Sequence, residues 1–182
     1  RKHLLKVNEV PILSFLIKRI KNEFLHEIIS KKIKIIISTS KETKNKELEL
    51  FKQDGVSVFY GSINNIPLRL FQTAEEYQLE NIISIDGDDI FCSPNGMRCV
   101  LSELKKGYSY IMTSGLPFGM NSFGFSRSFL KSSLIGHEKD ILETGWGQIF
   151  SEDDLVKIET GITYYDKRLR FTLDYPEDFK FF

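Results

Sequence analysis

Apolar positions recur at helical spacing from residue 11 to about residue 30, where Ile12, Phe15, Leu16, Ile20, Phe24 and Ile28 lie opposite Lys18, Arg19, Lys21 and Asn22. The pattern predicts an amphipathic helix. Residues 33–38 (IKIIIS) then read as a strand, KNKELELFKQDG as a helix stopped by Gly55, and VSVFY as a second strand. The order repeats with a helix over 66–77, a strand over 81–85, a helix over 94–106 and a strand over 108–112. Strands alternating with helices of this length predict a largely parallel, three-layer α/β sheet whose ligands lie beyond the carboxyl ends of the strands. The second half is less regular. Residues 115–124 (GLPFGMNSFG) predict a loop or hairpin, and 126–134 and 153–159 predict short helices. LRFTL (169–173) alternates like a strand, Asp174 follows it, and Tyr175-Pro176-Glu177-Asp178 opens a last helix with acids in its first turn. No repeat, low-complexity tract or linker interrupts the chain.

Composition narrows the class of partner. The 182 residues are 41% hydrophobic, enough for one domain with its own core. Lysine and arginine number 25 and aspartate and glutamate 25, so no net field draws the chain to nucleic acid or an anionic membrane. An anionic ligand must be held by local groups. No apolar run approaches the roughly 20 residues of a membrane helix and no signal-peptide pattern opens the sequence, which predicts a cytoplasmic protein. Cys92 and Cys99 have no nearby histidine pair and read as reduced core thiols. His3, His26 and His137 form no metal spacing.

One stretch carries charge where a core strand ends. In NIISIDGDDIFCSPNG (81–96), Asp86, Asp88 and Asp89 stand directly behind Ile82, Ile83 and Ile85. Carboxylates at the end of a buried strand are costly unless paired, hydrogen-bonded or bound to a cation. A metal site and a solvated turn both satisfy that requirement.

KHLLKVNEVPILSFLIKRI, IIISTS, VSVFYGSINNIPLRLFQTAEEY, NIISIDGDDIFCSP and RLRFTLDYPEDFKFF follow one another in an order with a precedent. They resemble, in turn, the end of an S-x-R-L-P-G-K-x-L loop with its helix, I-V-V-A-T-S, V-x-V-F-x-G-S-x-x-D-x-L-x-R-x-x-x-A-A, I-V-R-I-T-G-D-C-P-L-I-D-P and L-R-L-T-V-D-T-P-E-D-L. Those are motifs of the nucleotide-sugar cytidylyltransferases, in particular the spore-coat polysaccharide type and relatives that activate acylneuraminate and 3-deoxy-manno-octulosonate sugars. Ile90, Asp89 and Asn65 depart from the proline, small residue and aspartate usual there.

The resemblance implies a three-layer Rossmann-like nucleotide-diphospho-sugar transferase fold with a mostly parallel sheet. It forms one domain over 1–182 without the N-terminal strand and most of the phosphate-binding loop. It also implies an enzyme that transfers CMP from CTP to an acidic or modified sugar for surface glycans, with Mg²⁺ as cofactor and a homodimer as the assembly. In that reading Asp88 and Asp174 hold the metal, Lys2 is the loop lysine, and Thr39, Ser40, Gly61, Ser62, Arg69 and Gly87 face the nucleotide. Thr113, Ser114, Asn121 and Ser122 fall where the acceptor sugar is expected, and Trp146 either stacks on the sugar or anchors its loop. Each has a plainer alternative: a turn aspartate for Asp88, a helix-entry acid for Asp174, a surface arginine for Arg69, a frayed lysine for Lys2. A transferase of the same fold using another nucleotide, and a catalytically silent binding domain, are the competing functions.

Overall fold

The computed structural model of the protein describes residues 2–161, 166 and 168–182. They form two compact units, one made of residues 1–25, 83–124 and 156–182, the other of residues 26–82 and 125–155. Among the described residues, no helix is long and apolar enough to cross a membrane.

The first unit opens with a device the hydrophobic pattern did not predict. A single helical turn, Lys2–Leu4, leads into β1 (Lys6–Val7), which pairs antiparallel with β2 (Val10–Pro11). Asn8 and Glu9 make the tight turn with positive φ values of 49° and 64°. The helix then begins. It is shorter than predicted: α1 spans Ile12–Glu23, and a separate α2 spans Leu25–Ile29. The break has a cause within the first unit, because Arg98 donates to the Glu23 carbonyl at 2.5 Å and to its carboxylate at 2.6 Å. Its guanidinium also lies 4.7 Å from the ring of buried Phe24. An acceptor the helix would need is thereby taken.

In the second unit β3 (Ile35–Ser40) and β4 (Val56–Gly61) run parallel, in register from Ile35 opposite Val56 to Ser40 opposite Gly61. The segment between them, Thr43–Phe51, is a 3₁₀ helix rather than the predicted α-helix. Only Phe51 of its nine residues is buried, so no apolar face holds a longer helix in place. α3 (Ile66–Glu76) starts at Asn65, whose side chain accepts the Leu68 N–H at 2.8 Å and donates to the carbonyls of His137 and Asp140 at 2.8 and 3.2 Å. An aspartate would cap the helix equally well but could not donate.

β5 (Asn81–Ser84), α4 (Pro94–Lys105), β6 (Tyr110–Ser114), β7 (Phe123–Ser126), α5 (Arg127–Ser133), β8 (Leu155–Glu159) and α6 (Pro176–Phe179) complete the order. A four-stranded sheet runs β5-β7-β6-β8. Val100, Leu104 and Ile111 form a buried cluster joined by Ile83, Val156 and Ile158. β8 corrects the helix predicted for 153–159. Val156 and Ile158 alternate with outward-facing residues to meet that cluster, and burial of one side of LVKIE decides the conformation. Residues 169–173 form no strand beyond one bridge, Arg170 with Phe118. The chain there is held by Phe171 N–H to Phe118 O at 2.7 Å and by Leu173 N–H to Asp88 O at 3.0 Å.

Candidate active site

The aspartate stretch follows β5 and closes as a turn, with Asp89 N–H on Asp86 O and Cys92 N–H on Asp89 O, both 2.9 Å. The Leu173 bond to the Asp88 carbonyl then fixes where the next residue, Asp174, must sit. Backbone pairing, rather than proximity in sequence, brings residues 88 and 174 together. Lys2 donates to Asp88 Oδ2 and to Asp174 Oδ1, the latter at 3.0 Å, so both carboxylates converge on one cation. Arg170 donates to Asp174 Oδ2 at 2.6 Å. Asp178 Oδ2 receives the N–H groups of Asp174 and Tyr175 at 2.8 Å each, which anchors the entry to α6.

The electrostatics follow from this crowding. Burial pulls the Lys2 ammonium down, but its hydrogen bonds to Asp88 and Asp174 outweigh that and raise it above the ordinary lysine value. Burial raises Asp86, with the Asp88 charge adding to it. Burial also lifts Asp89 to about 7, aided by Asp88, Asp86 and Asp174 and opposed by its hydrogen bond with Thr172. His3 is lowered by burial. Its ring lies against Gly87, where an added Cβ would be 2.9 Å from ring Cδ2 and Nε2. A side chain at 87 would require the histidine ring to move.

Among the described residues no cluster of three or more His, Cys, Asp or Glu side chains could hold a metal ion. Two convergent carboxylates are instead the donor set that a hard divalent ion uses when phosphate oxygens and water complete its shell.

The second unit holds the predicted nucleotide residues other than Gly87, which belongs to the first. Thr39 and Ser40 end β3 and Gly61 ends β4, with Ser62 next along the chain. Ser40 Oγ is used locally, donating to Glu42 at 2.8 Å and accepting from Asn45 at 2.7 Å. Arg69 donates to the carbonyls of Ser62 and Ile63 at 2.9 and 3.4 Å. An added Cβ on Gly61 would meet Arg69 Cγ at 2.8 Å, so the glycine permits that close approach. Arg69 thus shapes the loop after β4 with part of its donor fork.

The predicted acceptor residues divide. Thr113 is 1% exposed and its hydroxyl accepts the Ser122 N–H at 2.8 Å, while Ser122 is fully buried. Their mutual hydrogen bonds tie β6 to the start of β7, and both side chains are out of solvent. Ser114 and Asn121 are half-buried; Asn121 donates to Leu116 O at 3.0 Å. Trp146 packs edge-on against Phe125 and Phe150, with ring centroids 6.3 and 5.8 Å away. Of its two readings the loop anchor is the one its neighbours support. Cys92 is fully buried and its thiol, pushed up to about 12 by burial, is inert. Three residues of the first unit escaped the sequence reading: His3, Arg170 and Asp178. Arg170 left a signal as a charge inside an alternating strand-like run four residues before Asp174, and Asp178 left one as an acid in the first turn of the last helix.

The chain is 30% identical, over an alignment of 188 positions, to the uncharacterized protein MJ1063 of Methanocaldococcus jannaschii, covering all of this chain and 74% of that protein. The chain belongs to that protein's family. No protein-family model matches it. A solved cytidylyltransferase from Leptospira borgpetersenii serovar Hardjo-bovis superposes with a TM-score of 0.77 at 22% identity, over 98% of this chain and 76% of that one. A 4-diphosphocytidyl-2C-methyl-D-erythritol synthase from Anaerococcus prevotii gives 0.65 at 15% identity, over 98% and 90%. The bifunctional IspDF of Campylobacter jejuni gives 0.64 at 14%, over 99% of this chain and 48% of that chain. What these share with the present chain is a mixed α/β fold that includes parallel strands.

Proposed function

We propose that this protein is a cytidylyltransferase that transfers CMP from CTP to an acidic or modified sugar, releasing pyrophosphate. The observation that carries the reading is the convergence of Asp88 and Asp174 on Lys2, three residues far apart in sequence. In the reaction the sugar hydroxyl oxygen bonds to the α-phosphorus as the bond to the bridging oxygen breaks. The hydroxyl proton passes to solvent as pyrophosphate leaves. Negative charge grows on the leaving phosphates, and a protein of zero net charge must offset it locally.

Asp88 and Asp174 would hold Mg²⁺, which when bound supplies Lewis-acid charge to the phosphate oxygens. Lys2, already between these carboxylates, would turn its ammonium to the triphosphate as a point charge. Thr39, Ser40, Gly61, Ser62, Arg69 and Gly87 enter the proposal as nucleotide contacts on the sequence resemblance, and Ser114 and Asn121 as acceptor contacts. The three-layer sheet, the cytoplasmic location, the homodimer and the role in surface glycans belong to the same proposal. Thermal-shift titration with CTP, UTP, GTP and ATP, each with Mg²⁺, tests it: CTP should give the largest rise in melting temperature. Equal responses to the four nucleotides would remove the cytidine assignment, and no response to any would favour a silent binding domain.

A further inference from the structure

Asp174 is held at both of its oxygens, by two different cations. Lys2 takes Oδ1 at 3.0 Å, while Arg170 Nη2 takes Oδ2 at 2.6 Å and lies 3.5 Å from Asp178 Oδ2. Asp178 is in turn fixed by the N–H groups of Asp174 and Tyr175. The guanidinium, the Asp178 carboxylate and these two N–H groups close a ring of contacts around one side chain.

Arg170 is itself fixed. Its guanidinium carbon lies 5.9 Å from the Phe118 ring centre and 5.1 Å from that of Tyr175, although these residues are 66% and 60% exposed. Two large aromatics left in solvent are explained by the cation they flank. The Arg170 backbone bridges to Phe118, and Gly119 at φ +85° lets the two segments touch, since a Cβ there would lie 2.7 Å from the Phe171 carbonyl carbon.

We propose that Arg170 is a positioning residue: by occupying Asp174 Oδ2 it leaves Oδ1 turned to the cation shared with Asp88. The inference rests on the cytidylyltransferase reading. Two effects of the guanidinium compete. Its charge repels a divalent cation, whereas its Nη2 contact fixes the carboxylate that must bind one. Arg170 is partly exposed and has Asp178 3.5 Å away, so the repulsion is screened and largely neutralised. The geometric effect wins. A lysine in its place keeps the charge but loses the planar guanidinium that lies near the Phe118 and Tyr175 rings while its Nη2 reaches Asp174.

The test compares the wild-type protein with Arg170→Met, which keeps an apolar stem between the rings, and with Arg170→Lys. Mn²⁺ binding in the presence of CTP is followed by electron paramagnetic resonance and calorimetry, beside the Mg²⁺ activation constant and the KM for CTP at saturating metal. Arg170→Met should weaken Mn²⁺ binding and raise the Mg²⁺ activation constant about tenfold, with KM for CTP at saturating metal and the metal-free melting temperature little changed. Arg170→Lys should recover only part of the loss, and it stands as the test on its own should the methionine variant fold poorly. Unchanged or tighter Mn²⁺ binding in Arg170→Met, or full recovery in Arg170→Lys, overturns the positioning role while CTP binding by the wild type stands. A wild-type protein that binds neither Mn²⁺ nor CTP overturns the cytidylyltransferase reading, and this inference with it.

Discussion

Two neighbouring aspartates show how position decides the work of a carboxylate. Asp88 shares the Lys2 ammonium with Asp174, whereas Asp89, one residue later, is desolvated beside three other acids. Asp88→Asn should therefore keep the fold and lower turnover at least about a hundredfold at saturating Mg²⁺, as loss of one charge from a phosphoryl-transfer metal site does. Circular dichroism beside a pyrophosphate-release assay checks both halves of that statement; near-normal turnover would take Asp88 out of the mechanism. Asp89 predicts a pH dependence. Its folded value, about 7, lies above the ordinary 3.8, so the folded state holds this proton more tightly than the unfolded one. The stability this contributes is fully present below the ordinary value and is lost as pH rises through about 7. In full the shift corresponds to about 4 kcal/mol, and partial exposure reduces this to about 2 kcal/mol. In metal-free buffer Asp89→Asn should be more stable than the wild type at pH 8 and equal to it near pH 4. A gain of equal size at both pH values would mean that the benefit is not electrostatic.

At the scale of elements, what could be read from the sequence was what periodicity encodes. β3, β4, α3, β5 and α4 lie within a few residues of their predicted bounds, because each buries one face against a neighbour. What could not be read depends on partners distant along the chain. The end of α1 is set by Arg98, and the strand at 155–159 by a cluster that includes Val100 and Ile111. Segment 169–173 alternates as a strand should, yet it is held by two separated backbone bonds, one of them to the Asp88 carbonyl. Asp88 and Asp174 were legible as candidates; the backbone tie that makes them neighbours was not. The other bond, Phe171 N–H to Phe118 O, lies beside Gly119, whose positive φ and contact with the Phe171 backbone exclude a side chain. Gly119→Ala should lower stability by about 2 kcal/mol or more. It should also speed hydrogen exchange at the Phe171 and Leu173 amides, and unchanged exchange there would show that the segment is held by other contacts.

Across the whole molecule, the residues that meet at the site come from positions 2, 88 and 174, so the site exists only when the chain is folded. A ligand that needs all three binds the folded state alone and stabilises it by mass action, by about 2.7 kcal/mol at a hundred times its dissociation constant. Mg²⁺ with CTP should therefore raise the melting temperature, and neither should do so as well alone. The dependence on Asp88 and Asp174 separates a shared site from two independent effects. Two carboxylates that hold one ion act as a unit: once either is gone the ion is lost, and removing the second costs little more. Asp88→Ala and Asp174→Ala should each abolish most of the Mg²⁺–CTP stabilisation, with the double variant close to either single one. If the losses add, Asp174 contributes through its side-chain pair with Arg170 ahead of α6, and the cation is not shared.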